Sequence, residues 1–149
     1  MNRVTALLVV VAATALLAAG CGGSSPEPLS KADYVSQVKA IGMDLSTSLN
    51  GIGSPKDAKT AATALTSVQS DLRDAVKKLE DITPPDNVKT AHESLTKAVG
   101  EFADELDPII DKLNDGKLSA LGSVTTLKGL TDIQRAATAI GKAGYNIGN

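Results

Sequence analysis

Few residues in this chain could do chemistry, and their spacing keeps them apart. Cys21 is the only cysteine and His92 the only histidine. A disulfide therefore has no second half within the chain. A zinc site needs several Cys, His or carboxylate ligands converging on one point, and no such set appears. The Glu-x-x-His pairs that hold two metals in helical bundles are also absent, because Lys89 stands three residues before His92. His92 lies beside Ala91 at the margin of an apolar stripe, which predicts a half-buried or solvated imidazole. There is no P-loop, no dinucleotide-binding glycine pattern and no G-x-S-x-G elbow. The remaining chemistry is charge. Glu101, Asp104, Glu105, Asp107, Asp111 and Asp115 crowd one region. Several fall four apart with like sign, which weakens a helix slightly. The run reads as a solvated face neutralised by Lys or Arg from a neighbouring helix. A docking face for a basic partner, or a cation site, would draw on Glu101, Asp104, Glu105, Asp111 and Asp115. No catalytic residue, cofactor or metal ligand set is predicted, so the chain reads as no enzyme.

The lone thiol sits in "TALLAAGCGGSSPEP", between an apolar run and a flexible one. Arg3 precedes residues that are apolar or small from Val4 to Ala19, apart from Thr5 and Thr14. Ala18, Ala19 and Gly20 then supply the small residues that a signal peptidase accepts. A membrane span needs about 20 apolar residues, and this run is shorter, with helix breakers on its far side. Small residues before a cysteine, with Leu17 upstream, resemble the lipobox of bacterial lipoproteins. The resemblance departs at Ala18, where leucine is commonest. It implies cleavage between Gly20 and Cys21 and acyl groups on Cys21. One acyl chain holds only reversibly, at roughly 0.8 kcal/mol per buried methylene, and several chains make a lasting anchor. Residues 1–20 are thus expected to be a signal peptide and 21–29 a lipidated flexible tether. Eight such residues span about 15 Å as a random coil.

Without the signal, about 130 residues remain, enough for one domain. Fourteen basic side chains then face seventeen acidic ones, a net charge of −3. That balance excludes non-specific nucleic-acid binding, which needs a basic face. Tyr34, Phe102 and Tyr145 are the only aromatic residues. Base-stacking platforms have no material here.

These elements must carry whatever the chain does. The apolar period is close to that of a helix throughout. The first stretch is capped by Ser30, with Asp33 in its first turn and a stripe through Tyr34, Val38, Ile41, Leu45, Leu49 and Ile52. The second is expected to start with Ser54 as cap and Pro55 in the first turn, and to end at "TPPD". The third runs from Val88 to Leu113, with a kink or break near Pro108 and a stop at "NDG". The fourth spans Leu118 to Ile140, weakened by its glycines, with fraying last turns. The expected fold is all-α: an antiparallel up-down-up-down four-helix bundle over residues 30–149. Its long helices would measure about 35–40 Å. The start of the first helix, the "TPPD" turn and the C-terminus would share the end nearest the anchor.

"PLSKADYVSQVKAI" after a lipobox, with "LEDITPPDNVKTAHESLTKAV" in mid-chain, resembles small helical lipoproteins of actinobacteria. Many of those carry a cysteine near the positions of Gly42 and Met43, where this chain has none. The resemblance implies a helical body on the outer face of the cytoplasmic membrane and no reaction. The expectation is therefore a membrane-anchored, non-enzymatic binding module with an envelope protein partner. A carrier or sensor that holds a small apolar ligand between its helices is the alternative.

Overall fold

The computed structural model describes residues 27–148. The predicted signal, the Gly20–Cys21 junction, most of the tether and Asn149 lie outside these residues. Among the described residues every regular element is helical, and the fold is all-α. The α-helices are α1 (Lys31–Asn50), α2 (Ala58–Glu80), α3 (Lys89–Glu105), α4 (Asp107–Asn114) and α5 (Lys128–Lys142). Short 3₁₀ segments, Asp86–Val88 and Leu118–Thr126, precede α3 and α5. None of these helices is long and apolar enough to cross a membrane.

α1 starts as its sequence requires. The Ser30 hydroxyl accepts from the Asp33 amide, and Leu29 packs against the core one position earlier. α2 starts later than expected. Its cap is Asp57, not Ser54, and Pro55 lies outside the helix. The Asp57 carboxylate accepts both the Thr60 amide at 2.8 Å and the Thr60 hydroxyl at 2.9 Å. A charged acceptor with two donors, set at the positive end of the helix, outcompetes a serine hydroxyl.

The third stretch divides at Leu106. Pro108 has no amide hydrogen to continue the ladder, and Leu106 is fully buried at the elbow. Gln69 of α2 splints the break. Its side-chain amide donates to the Ala103 carbonyl at 2.8 Å and to the Asp107 carboxylate at 2.6 Å. α4 stops at the "NDG" turn, where Lys117 donates to the Lys112 carbonyl and Gly116 to that of Leu113.

The fourth stretch departs most from expectation. Leu118–Thr126 is 3₁₀, and Leu127 is extended before α5 begins. Gly122, Ser123, Val124, Thr125 and Thr126 are weak helix formers in succession. The Thr125 and Thr126 hydroxyls donate to carbonyls three residues back. These divisions shorten the rods. At 1.5 Å per residue, α2, with 23 residues, reaches about 34 Å, and the other helices are shorter.

α5 ends in a turn rather than a frayed coil. Gly144 adopts φ +90°, which suits glycine alone. Tyr145 then donates to the Ile140 carbonyl and Gly144 to that of Gly141. The turn delivers Tyr145 to the core, where it is 6% exposed. The core runs continuously through Tyr34, Leu65, Leu72, Phe102, Leu106 and Ile140. α5 approaches α3 closely through Gly129. A Cβ there would lie 2.6 Å from the Phe102 Cα, so no other residue fits.

Candidate functional site

The start of α1, the "TPPD" turn and the C-terminal segment meet at one end. The Leu29 amide donates to the Thr83 carbonyl at 2.9 Å. Tyr145 donates its hydroxyl to Asn87 at 2.8 Å. The Tyr34 and Tyr145 rings meet edge-on with centroids 5.5 Å apart. Lys31 of α1 stands 5.3 Å above the Tyr145 ring.

His92 lies at the centre of this end and is buried, not solvated. Its Nε2 meets the Leu79 carbonyl at 2.9 Å and its Nδ1 meets the Tyr34 hydroxyl at 3.2 Å. A carbonyl only accepts, so Nε2 carries the ring hydrogen and Nδ1 accepts from Tyr34. Burial holds the imidazole below its ordinary pKa, against the opposing pull of the Leu79 carbonyl and Glu93. Burial pushes the Tyr34 phenol up to about 12, with a smaller contribution from Tyr145. With both ring nitrogens engaged inside the fold, His92 has no free position to serve as a base.

A groove of about 530 Å³ runs between α2 and α3 above this histidine. Its apolar surface comes from Val76, Leu79, Ile82 and Pro84. Gly100 lines it on the α3 side, where a Cβ would make ordinary contact with Val76 at 3.7 Å. Glu80, Lys89, Glu93 and Lys97 are exposed along its edges. Thr83, which accepts the Leu29 amide, lines the same groove. The chain therefore enters the helical body at the groove's mouth. A second groove, between α3 and α5, has a floor of alanines with Lys97, Glu101, Lys128, Asp132 and Arg135 around it.

Comparison with protein-family models, with curated proteins and with solved structures gives no match.

The acidic residues of the third stretch are distributed over separate neighbours. Glu101 lies 3.5 Å from Lys97 and 3.9 Å from Lys128. Asp104 and Asp107 share Arg73 of α2, at 3.7 and 3.8 Å. Glu105 accepts the Gly129 backbone amide. Asp115 pairs with Lys117 at 3.7 Å, and Asp111 is exposed. Among the described residues no group of three or more His, Cys, Asp or Glu converges to hold a metal ion. Lysines one helical turn from an acidic residue also find other partners than Glu93 and Asp74 at four-residue spacing. Lys97 pairs with Glu101, Lys78 reaches Asp44 of α1, and Asp74 takes Lys77. Exposed pairs of this kind contribute about 0–1 kcal/mol each, so geometry rather than energy decides among them.

Two polar residues carry more weight than their sequence positions suggested. Gln69 falls four after Leu65 and three before Leu72, on the buried face of α2. His92 falls four after Val88 and three before Leu95. That spacing was the available signal, and hydrophobicity alone hid it, since both side chains are polar.

Proposed function

We propose that this protein is a lipid-anchored, non-enzymatic helical bundle that offers its α2–α3 groove to a protein of the cell envelope. In this reading residues 1–20 are a secretory signal removed between Gly20 and Cys21. Acyl groups on Cys21 hold the protein to the outer face of the cytoplasmic membrane, and residues 21–29 are its tether. The helical stretches run up-down-up-down. Support for that arrangement comes from the Leu29–Thr83 hydrogen bond, which joins the start of α1 to the end of α2, and from the Asp44–Lys78 pair along the same interface.

The observation that carries the reading is the Leu29–Thr83 bond. A tether leaving at Thr83 sets the mouth of the groove beside the anchored end, where partners at the membrane pass. The apolar floor provides burial and the mixed charges of its edges provide selection. Exposed Asp104, Asp111 and Asp115 add an acidic surface for a basic partner farther along the body. The engagement of both His92 nitrogens supports the non-enzymatic part of the reading.

A Cys21→Ala variant tests the anchor. The parent chain should sediment with membranes, and the variant should leave them or stay unprocessed. Equal fractionation and maturation of both would overturn the anchor. A photo-crosslinking residue at Glu93, on the groove, tests the surface in intact cells against the same residue at Thr131, on the outer side of α5. A defined adduct at Glu93 alone supports the groove, and equal labelling at both sites overturns it.

A second reading is favoured by the same apolar floor: a small apolar ligand, rather than a protein, lies against Val76, Leu79 and Ile82. Saturable binding of a hydrophobic dye, lost in Val76→Asp, would select that reading.

A further inference from the structure

His92 is 4% exposed, yet it joins parts of the chain that are distant in sequence. It bonds the Leu79 carbonyl at the end of α2 and the Tyr34 hydroxyl in the first turns of α1. Tyr34 in turn meets Tyr145 after α5. The Tyr34 hydroxyl has no hydrogen-bond partner besides His92 among the described residues. The imidazole and the phenol thus link the start of α1 and the C-terminal segment to α2 and α3, beside the Leu29–Thr83 and Tyr145–Asn87 hydrogen bonds.

We propose that this cluster is an acid-released latch: when His92 takes up a proton, the first turns of α1 and the Tyr145 segment come away together from α2 and α3. A protonated imidazole has two N–H donors and no acceptor. Tyr34 must then turn from donor to acceptor, and its own hydrogen is left without a partner inside a dry core. The Tyr34 side chain is 0% exposed, so water does not relieve it. A buried charge and an orphaned hydroxyl together favour the open form.

The neighbouring charges do not cancel this effect. Glu93 and Lys89 lie on the histidine's own helix, and Glu80 lies on α2 along the same groove. From α1 comes Tyr34, with Lys31 over the ring of Tyr145. The Leu79 carbonyl and the Glu93 carboxylate favour the imidazolium. Burial outweighs them and keeps the closed imidazole neutral below its ordinary value of 6.5. Opening restores ordinary basicity. Acidification below 6.5 therefore raises the opening constant, by at most about tenfold per pH unit, until the closed imidazole titrates as well. The latch involves only residues 27–148 and holds whether or not Cys21 carries acyl groups.

The chain reports on this cluster through its own residues. It has one histidine, two tyrosines and no tryptophan. The full chain, purified without a histidine tag, can be followed by NMR from about pH 8 to 5 across the ordinary histidine range. The expected result is an imidazole midpoint below 6.5, with protection of the Tyr34 and Tyr145 amides falling together. That fall should set in below pH 6.5, at no more than about tenfold per pH unit, before amides in the middle of α2 and α3 lose protection. In His92→Gln the dependence should vanish; if that variant does not fold, the parent titration decides alone. The latch is overturned if the imidazole titrates while both amides stay protected. It is also overturned if only one amide responds, if protection falls uniformly along the chain, or if the dependence survives in His92→Gln.

Discussion

The Glu105 carboxylate on α3 closes the first turn of α5 by accepting the Gly129 amide hydrogen at 2.8 Å. α5 has no cap of its own, because Leu127 stands at the capping position without a side-chain acceptor. A carboxylate borrowed from a neighbouring helix supplies the missing bond and places negative charge at the positive end of α5. One residue of the acidic run is thereby committed to holding two helices together.

Glu105→Ala should cost about 1 kcal/mol, the usual loss of a capping acceptor. Gly129→Ala should cost about 1–3 kcal/mol or more, because the new methyl group would press on the Phe102 backbone, which cannot rotate away. Urea unfolding midpoints of the two variants give the order. A neutral Gly129→Ala would refute the close approach of α5 to α3.

Gln69 should prove the costliest exposed-looking polar residue of α2 to truncate. Gln69→Ala removes two donors from the elbow and leaves the Asp107 carboxylate with only the distant Arg73. The expected loss is about 1–3 kcal/mol, measured by chemical unfolding. Hydrogen exchange should locate the added mobility at α4 rather than α1. Equal exchange in both helices would mean that Gln69 does not splint the break.

The start of α2 can be assigned by a pair of alanine variants. Asp57→Ala should lower the unfolding midpoint and Ser54→Ala should leave it almost unchanged. The cap's amide and hydroxyl donors hold the Asp57 carboxyl below its ordinary value. Its contribution is therefore complete above pH 3.8 and lost as pH falls through the lower folded value. A larger effect at Ser54 would move the helix start back to Pro55.

Tyr34→Phe keeps the ring and removes the donor to His92 Nδ1. A buried imidazole nitrogen then lacks its partner, at a cost of about 1–3 kcal/mol. In the parent chain the closed imidazole binds its proton less readily than the unfolded one, so the unfolded state carries more protons as pH drops below 6.5. Stability should be level above that value and decline beneath it. Thermal unfolding from about pH 8 to 5 checks the direction; a rise in stability on acidification would reverse the assignment of a neutral His92.

Helical content was legible in the spacing of apolar residues, and so were the Ser30 cap, the stop at "NDG" and the break at Pro108. Each depends on neighbours within a turn or two: a hydroxyl reaching its own third amide, a glycine accepting positive φ, a proline lacking its hydrogen. The gathering of α1, the "TPPD" turn and the C-terminus at one end followed from short connections between stretches that must bury a single face. Tertiary packing decided the rest. His92 and Gln69 became interior residues because partners on other helices satisfied their polar atoms, and no local pattern announces a partner 58 or 34 residues away. Leu118–Thr126 tightened into 3₁₀ turns where weak helix formers had no long face to bury. Glu105 was read as surface charge, and it became a cap because Gly129 allowed α5 to come close enough to offer its amide. Short-range stereochemistry determined where helices begin and end. The distances between helices determined what their polar residues do.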